Sequence, residues 1–148
     1  MSIFLIALLA QTPQAAHVMG FDQQKTVHHF VLYQNGGSID VTVKDPADTA
    51  NLSAIRAHLP HIAEMFSQGQ FDAPMLVHAT DVPGTADMAR LKSRLTYTFV
   101  ETPRGGRVEI VTTDPEALAA SHRFLRFQIS EHRTGDSTAI RKRSSEKE

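Results

Sequence analysis

The chain has 148 residues, of which 41% are hydrophobic and 21% charged, and its formal net charge is −1. These values exclude a disordered chain and are typical of one globular domain with a hydrophobic core. The near-neutral charge argues against a nucleic-acid-binding protein, because basic side chains that neutralise phosphates supply most of that affinity. Cysteine is absent and histidine occurs eight times. Disulfides and thiolate chemistry are therefore excluded, and histidine, aspartate and glutamate are the strong metal ligands available.

The N-terminal residues 3–10 form an apolar run that is too short to span a bilayer, so we expect no stable membrane insertion. The run is similar to the end of a secretory signal, although no lysine or arginine precedes it. We interpret residues 1–10 as a signal-peptide remnant and the polar residues 11–25 as a linker or irregular arm. This interpretation makes the protein periplasmic or secreted; without a signal it is cytoplasmic.

A β-hairpin opens the folded domain, which we expect to cover residues 26–135. Residues 26–33 (TVHHFVLY) are β-branched and aromatic, and residues 38–44 (SIDVTVK) alternate between apolar and polar side chains. Asn35 and Gly36 lie between the two runs, and this dipeptide is a strong hairpin signal because both residues accept a positive φ. The sequence thus predicts two antiparallel strands joined by a tight turn.

A long amphipathic helix follows the hairpin. Its apolar residues recur at spacings of three and four and so share one stripe: Leu52, Ile55, Leu59, Ile62 and Phe66. Pro60 lies inside this pattern and removes one backbone donor, which predicts a kink because the stripe continues in phase beyond it. Gly69 is expected to end the helix.

The rest of the chain predicts alternating strands and helices, with residues 70–94 connecting the two halves. The expected elements are a strand at 74–80, a weaker helix at 85–94, strands at 95–102 and 107–113, and a helix at about 116–133. Residues 136–148 are rich in charged and small polar side chains and are expected to be a disordered tail.

The second half of the chain repeats the first. Residues 36–41 (GGSIDV) are similar to 105–110 (GGRVEI), and Asp-Pro follows at 45–46 and again at 114–115 without a gap. We therefore predict an α+β fold made of duplicated ββα units, at about 26–69 and 95–135. The units form a four- to five-stranded, mainly antiparallel sheet covered on one face by two long helices, because a lone hairpin cannot bury its apolar side.

The stretch 55–78 predicts a metal site. His58 and His61 are three residues apart on the helix and are therefore neighbours, while His78 and His29 could each supply a further imidazole. Such a set suits Zn or Cu, and Met65 would favour copper. The alternative is one boundary histidine and one exposed histidine, since the spacing differs from that of the HExxH zinc motif.

Three residues are candidates for lining a pocket or binding a cofactor. Strand alternation places His28 on the same face as Phe30, which we take as the core face, and the repeat aligns His28 with Tyr97. His122 lies on the inward stripe of the last helix. The alternative for His28 is a core imidazole with a hydrogen-bond partner.

Candidate catalytic residues are fewer. Glu64 lies close enough to the histidines to act as a base, and Asp72 and Asp81 flank His78, so that a histidine–aspartate pair for acid–base chemistry is conceivable. The sequence has no P-loop, GxSxG elbow or GxGxxG motif. Whether the protein is an enzyme therefore stays open.

A second apolar surface is expected on the last helix. Phe124 and Phe127 leave its inward stripe and are predicted to point outward, where a homodimer contact is the simplest use for them. Three functions follow: a small binding protein with a histidine-lined pocket for a divalent metal or small ligand, a metal-assisted hydrolase using the same histidines, or a non-catalytic dimeric interaction domain.

Overall fold

Five strands form one mixed sheet in the computed structural model, which describes residues 20–72 and 81–144. The strands are β1 (Thr26–Tyr33), β2 (Gly36–Val43), β3 (Leu95–Thr102), β4 (Gly105–Thr112) and β5 (Ile140–Arg141). The sheet order is β3-β4-β2-β1-β5. Neighbouring strands are antiparallel except for β5, which runs parallel to β1. The predicted α+β class is confirmed.

The helices are α1 (Thr49–Ser67), α2 (Thr85–Arg90) and α3 (Pro115–His132), with short 3-10 turns at Gln23–Lys25 and Lys92–Arg94. Aspartates cap the two long helices. Asp48 accepts a hydrogen bond from Asn51 N at the start of α1, and Asp114 accepts one from Ala117 N at the start of α3. These caps satisfy backbone donors that a helix leaves unpaired at its N-terminus.

Alternation along the strands builds one core between the sheet and the two long helices. Phe30 on β1, Ile39 on β2 and Val108 on β4 lie on the same face because they are register partners, and each is at most 1% exposed. The apolar stripe of α1 supplies Ile55, Leu59, Ile62 and Phe66 to this core. The helix runs through the exposed Pro60 without a break.

Each long helix packs on the hairpin of the other half of the chain. α1 follows β2 but packs chiefly on β3 and β4, whereas α3 follows β4 and packs chiefly on β1 and β2. The central strands β2 and β4 are antiparallel, and the repeat-equivalent residues Ile39 and Val108 face each other. Each half of the chain therefore contributes two strands and one long helix, and β2 and β4 lie side by side within the sheet.

The two Gly-Gly pairs lie at the start of β2 and β4, not in the hairpin turns that the sequence predicted for them. A Cβ on Gly36 would lie 1.8 Å from Ile110 O, and one on Gly105 would lie 1.9 Å from Val41 O. Both glycines therefore permit the close approach of the two central strands, and Gly36 also has a positive φ of 146°. The turns themselves use residues 34–35 and 103–104.

Two predictions at the C-terminal part of the chain are wrong. Phe124 was expected to point outward, but it is 1% exposed and packs on Phe66, because its side chain points from α3 towards the end of α1. The expected tail, 136–148, is structured as far as residue 144, since β5 pairs with the edge of β1 and Arg143 stacks on Tyr33. The outward pair of phenylalanines that suggested a dimer surface is therefore not present.

Other predictions fall outside the described part of the chain. They are the signal-peptide remnant at 1–10, most of the arm at 11–25, and the strand at 74–80. None of the helices within residues 20–72 and 81–144 combines the length and apolar character needed to cross a membrane.

Candidate ligand-binding site

A chain of aromatic rings lies where the start of β1 meets the end of α3. We call this region the histidine end, and its members are Phe21, His28, Phe30, His58 and His132. His28 stacks on His132 with ring centroids 5.5 Å apart and planes at 19°. Phe21 lies between His28 and His58, at 6.0 and 5.9 Å from their centroids. The Phe21 ring therefore contacts two histidines, His28 and His58, that are far apart in the sequence.

Local structure fixes each ring. β1 alternation turns His28 inward beside Phe30, and His132 occupies the last turn of α3. The segment before β1 is tied to α1 because Asp22 N donates to Asn51 Oδ1 at 2.9 Å. Gly20 approaches His58 so closely that a Cβ there would lie 3.2 Å from the His58 ring.

Both inward histidines have a nitrogen without a partner. The Nε2 atoms of His28 and His58 are buried and accept or donate no hydrogen bond among the described residues. Burial, with His132 and His29 nearby, lowers the pKa of His28 to about 4. Burial and His61 also lower the pKa of His58. Both imidazoles are therefore neutral at pH 7, and each is a polar group whose burial costs free energy.

An open cleft of about 340 Å³ adjoins His28 and His132. Its walls come from the segment before β1, from β1 itself and from the residues that follow α3. The lining residues are Gln23, Thr26, Val27, His28, Lys44, His132, Arg133 and Thr134. Lys44 and Arg133 are the cationic side chains among these eight, and none of the eight is acidic.

The corresponding place in the second unit is filled instead of open. We call it the aromatic end, and its members are Phe66, Phe71, Tyr97 and Phe124. Phe71 stacks on Phe66 with centroids 4.7 Å apart, and Tyr97 and Phe124 meet Phe66 edge-on at 5.7 and 6.0 Å. The Tyr97 hydroxyl is buried without a hydrogen-bond partner in the described structure, and burial raises the pKa of Tyr97.

The remaining pocket candidate, His122, has a structural contact. Its Nε2 donates to the carbonyls of Tyr33 and Gly36, at 2.8 and 3.0 Å. His122 thus fastens α3 to the β1–β2 turn and lies away from the cleft. His29 is on the opposite face of the sheet, where its Nδ1 contacts Asp136 Oδ1 at 2.9 Å.

The structure separates the predicted metal ligands. His58 and His61 are adjacent, with ring centroids 6.4 Å apart, but they lie on the helical side of the sheet and His29 on the other side. His78 falls outside the described residues. Within 20–72 and 81–144, no three histidine, aspartate or glutamate side chains form a group that could hold a metal ion.

The predicted catalytic pairing of Asp81 with His78 stays a prediction, because His78 lies outside the described residues. Glu64 is exposed on α1, and Asp81 is exposed at the point where the described chain resumes. Sequence reasoning also missed Lys44 and Arg133 as cleft residues. Each directly follows a regular element and is brought to His28 only by the tertiary fold, so spacing along the chain held no signal for them.

Comparison with known proteins gives no assignment: no family model, no curated protein and no solved structure matches the chain.

Proposed function

We propose that the protein is a non-catalytic binding protein for a small anionic molecule, which occupies the cleft at the histidine end. The observation that carries this proposal is the lining of the cleft, where Lys44, Arg133 and two histidines surround a space of about 340 Å³ without a carboxylate. Lys44 and Arg133 are exposed side chains at the mouth of the cleft, and two cationic groups facing one recess favour an anion over a cation. A metal cation would meet Lys44 and Arg133 as like charges.

The end of α3 opposes this preference only weakly. The C-terminus of a helix carries roughly half a negative charge, whereas Lys44 and Arg133 each carry a full positive charge. The last carbonyls of α3 are also partly satisfied, because Arg133 N and Thr134 N both donate to them. The cationic side chains therefore dominate the electrostatics of the cleft.

A neighbouring cleft provides a comparison for the proposed anion site. It shares Lys44 but adds Asp45 and Asp48 to Gln24 and Lys25, so its charges nearly balance. An anion would therefore meet no net attraction in that cleft, whereas Lys44 and Arg133 would attract it beside His28. Each cleft has two cationic side chains, so the expected preference of an anion for the cleft beside His28 follows from Asp45 and Asp48, which line only the neighbouring cleft.

Titration with inorganic phosphate and with citrate, followed by amide chemical shifts, tests the proposal. We expect shifts around His28, His132 and Thr134, and binding weakened by about tenfold or more in Lys44→Ala and Arg133→Ala. Lys92→Ala is the matched control, because Lys92 is an exposed lysine in a 3-10 turn and does not line the cleft. If neither anion shifts these residues, or if the control weakens binding equally, the proposal is wrong.

A divalent metal at His58 and His61 is the second candidate function. It is supported by the buried His58 Nε2, which has no hydrogen-bond partner among the described residues and lies beside the His61 ring. Zn and Cu titration of the wild type and of a His58→Ala/His61→Ala variant separates the two candidates. Stoichiometric metal binding lost in the variant favours this site, and a metal-assisted hydrolase using Glu64 is worth testing only after that result.

We further infer that the fold arose by duplication of a ββα unit. The ungapped sequence match, the facing of Ile39 and Val108, and the equivalent glycine contacts at Gly36 and Gly105 support this inference. The duplication also accounts for the paired ends, of which only one retains an open cleft.

A further inference from the structure

Residues 134–144 lie along the outer edge of β1, and we call this segment the strap. We propose that the strap is a blocking strand, and that its release lets β1 pair with β1 of a second copy of the chain. The proposal concerns the sheet edge and does not depend on a ligand in the cleft. It replaces α3 as the expected dimer surface.

The strap occupies the hydrogen-bonding groups of the β1 edge. Phe30 N donates to Asp136 Oδ2 at 3.0 Å, and Gln34 N donates to Arg141 O at 2.9 Å. Between these contacts, Leu32 and Tyr33 pair with Ile140 and Arg141. Alternate residues of a strand present their backbone groups to the same edge. The even-numbered residues of β1 therefore form the outer ladder.

Two side chains fasten the strap. Asp136 holds the middle of the β1 edge through Phe30 N and His29 Nδ1. Arg143 stacks over Tyr33 with its guanidinium carbon 4.4 Å from the ring centroid, and it also donates to Asn35 Oδ1 at 2.8 Å. Between these anchors the strap buries little apolar surface, since Ile140 is 49% exposed. The strap is thus held by a few polar contacts of two half-buried side chains, Asp136 and Arg143, and a segment with few buried apolar contacts opens at lower free-energy cost than the core does.

The β1 sequence is suited to pairing with itself. Phe30 lies midway between the ends of the outer ladder, so an antiparallel pair centred on Phe30 brings His28 of one copy opposite Leu32 of the other. On the open face, the same register brings His29 opposite Val31. β1 contains no Lys, Arg, Asp, Glu or Pro, and these are the residues with which edge strands normally prevent such pairing.

The strap supplies the protection that β1 lacks. It carries Asp136, Arg141, Lys142 and Arg143 along the edge, and its Asp136 occupies the central amide of the ladder. Gly135, the second residue of the strap, has a positive φ of 73°, and no described atom beyond its chain neighbours lies within 4 Å of the position that a Cβ would take. The backbone at Gly135 can therefore change conformation, so that the rest of the strap moves away from β1 while the core stays in place.

The test uses the full chain with Asp136→Ala and Arg143→Ala combined. We expect the variant to form a dimer by light scattering at concentrations at which the wild type is monomeric, with self-association strengthened by about tenfold or more. In the dimer, the amides of Phe30 and Gln34 stay protected from hydrogen exchange. Lys142→Ala is the control, because it removes one strap charge at an exposed side chain and should leave the wild-type mass unchanged.

A third change locates the interface. Val31→Lys in the released background places a charge on β1 opposite His29 of the other copy, and it should restore the monomer. The proposal is overturned if the released variant stays monomeric, whether its edge amides exchange rapidly or remain protected. It is equally overturned if Val31→Lys leaves the dimer intact.

Discussion

His28 and Tyr97 hold corresponding places on β1 and β3, and the two ends of the molecule differ in what fills the space beside each ring. At the aromatic end, Phe71 returns after α1 and stacks on Phe66. At the histidine end, the residues after α3 are Arg133 and Thr134, which line an open cleft. The same backbone arrangement therefore yields a closed apolar cluster in one half and a polar recess in the other.

The comparison shows how the residues that follow each long helix set the character of the space beside it. An apolar residue there fills the space and adds to the core, whereas polar residues leave a recess that a ligand can enter. An apolar ring completes the core at one end, where four aromatic side chains bury one another. At the other end, two buried imidazole nitrogens have no hydrogen-bond partner within residues 20–72 and 81–144. Such groups reduce the free energy of unfolding, and a role in binding is one reason for which a protein retains them.

The largest expected effect is at the aromatic end. Phe66→Ala removes a fully buried ring that contacts Phe71, Tyr97 and Phe124, and we expect the free energy of unfolding to fall by about 3–5 kcal/mol. Urea unfolding at pH 7 measures the change. Phe71→Ala is the control: Phe71 is only half-buried, so its loss should cost less. Equal losses for the two variants would contradict the larger contribution assigned to Phe66.

Lowering the pH should reduce the free energy of unfolding through His28, at the histidine end. The folded pKa of His28 is about 4, below its ordinary value of 6.5, so the unfolded chain takes up a proton first as the pH falls. Stability from this group is complete above pH 6.5 and is lost towards pH 4, to a total of roughly 3 kcal/mol. The His58 pKa is lowered in the same direction.

Replacing His28 by Phe makes the histidine end resemble the aromatic end and isolates this contribution. Urea unfolding of His28→Phe at pH 7 and at pH 4.5 should show a smaller loss between the two values than the wild type shows. Carboxylates with lowered pKa, such as Asp48, Asp114 and Asp136, act in both proteins and cancel in the difference. An unchanged acid loss would contradict the assignment to His28.

The two hairpins offer a smaller contrast. A Cβ on Gly37 would lie 2.6 Å from the backbone oxygen of Val31, whereas one on Gly106 would meet the side chains of Phe99 at 2.7 Å and Leu59 at 3.0 Å. Gly37→Ala should therefore destabilise the protein more than Gly106→Ala does, within about 1–3 kcal/mol. Thermal unfolding of the two variants side by side measures the order, and the reverse order would contradict it.

The smallest effect is expected at Tyr97. Its hydroxyl is buried without a partner in the described structure, so Tyr97→Phe removes an unsatisfied polar group and keeps the ring contact with Phe66. The free energy of unfolding should stay the same or rise by about 1 kcal/mol at most. A clear loss on urea unfolding would reveal a hydrogen bond to the hydroxyl.

Much of the fold was predictable because its signals are local. The bounds of β1 and β3 follow from runs of β-branched and aromatic residues, and the stripe of α1 follows from its spacing. Phe124 was misplaced because its partner, Phe66, belongs to a different helix. The cleft was also beyond sequence reasoning, since Lys44 and His132 meet only after α3 crosses onto the first hairpin.

Each long helix packs on the hairpin of the other half of the chain, and this arrangement has a consequence for folding kinetics. Because α1 packs on β3 and β4, neither half can complete a core until the other half has been made and has docked. Contacts between distant parts of a chain raise the contact order and slow folding. The protein should therefore fold in a single late, cooperative step, and a nascent chain that ends after α1 would expose its apolar stripe until the second hairpin emerges.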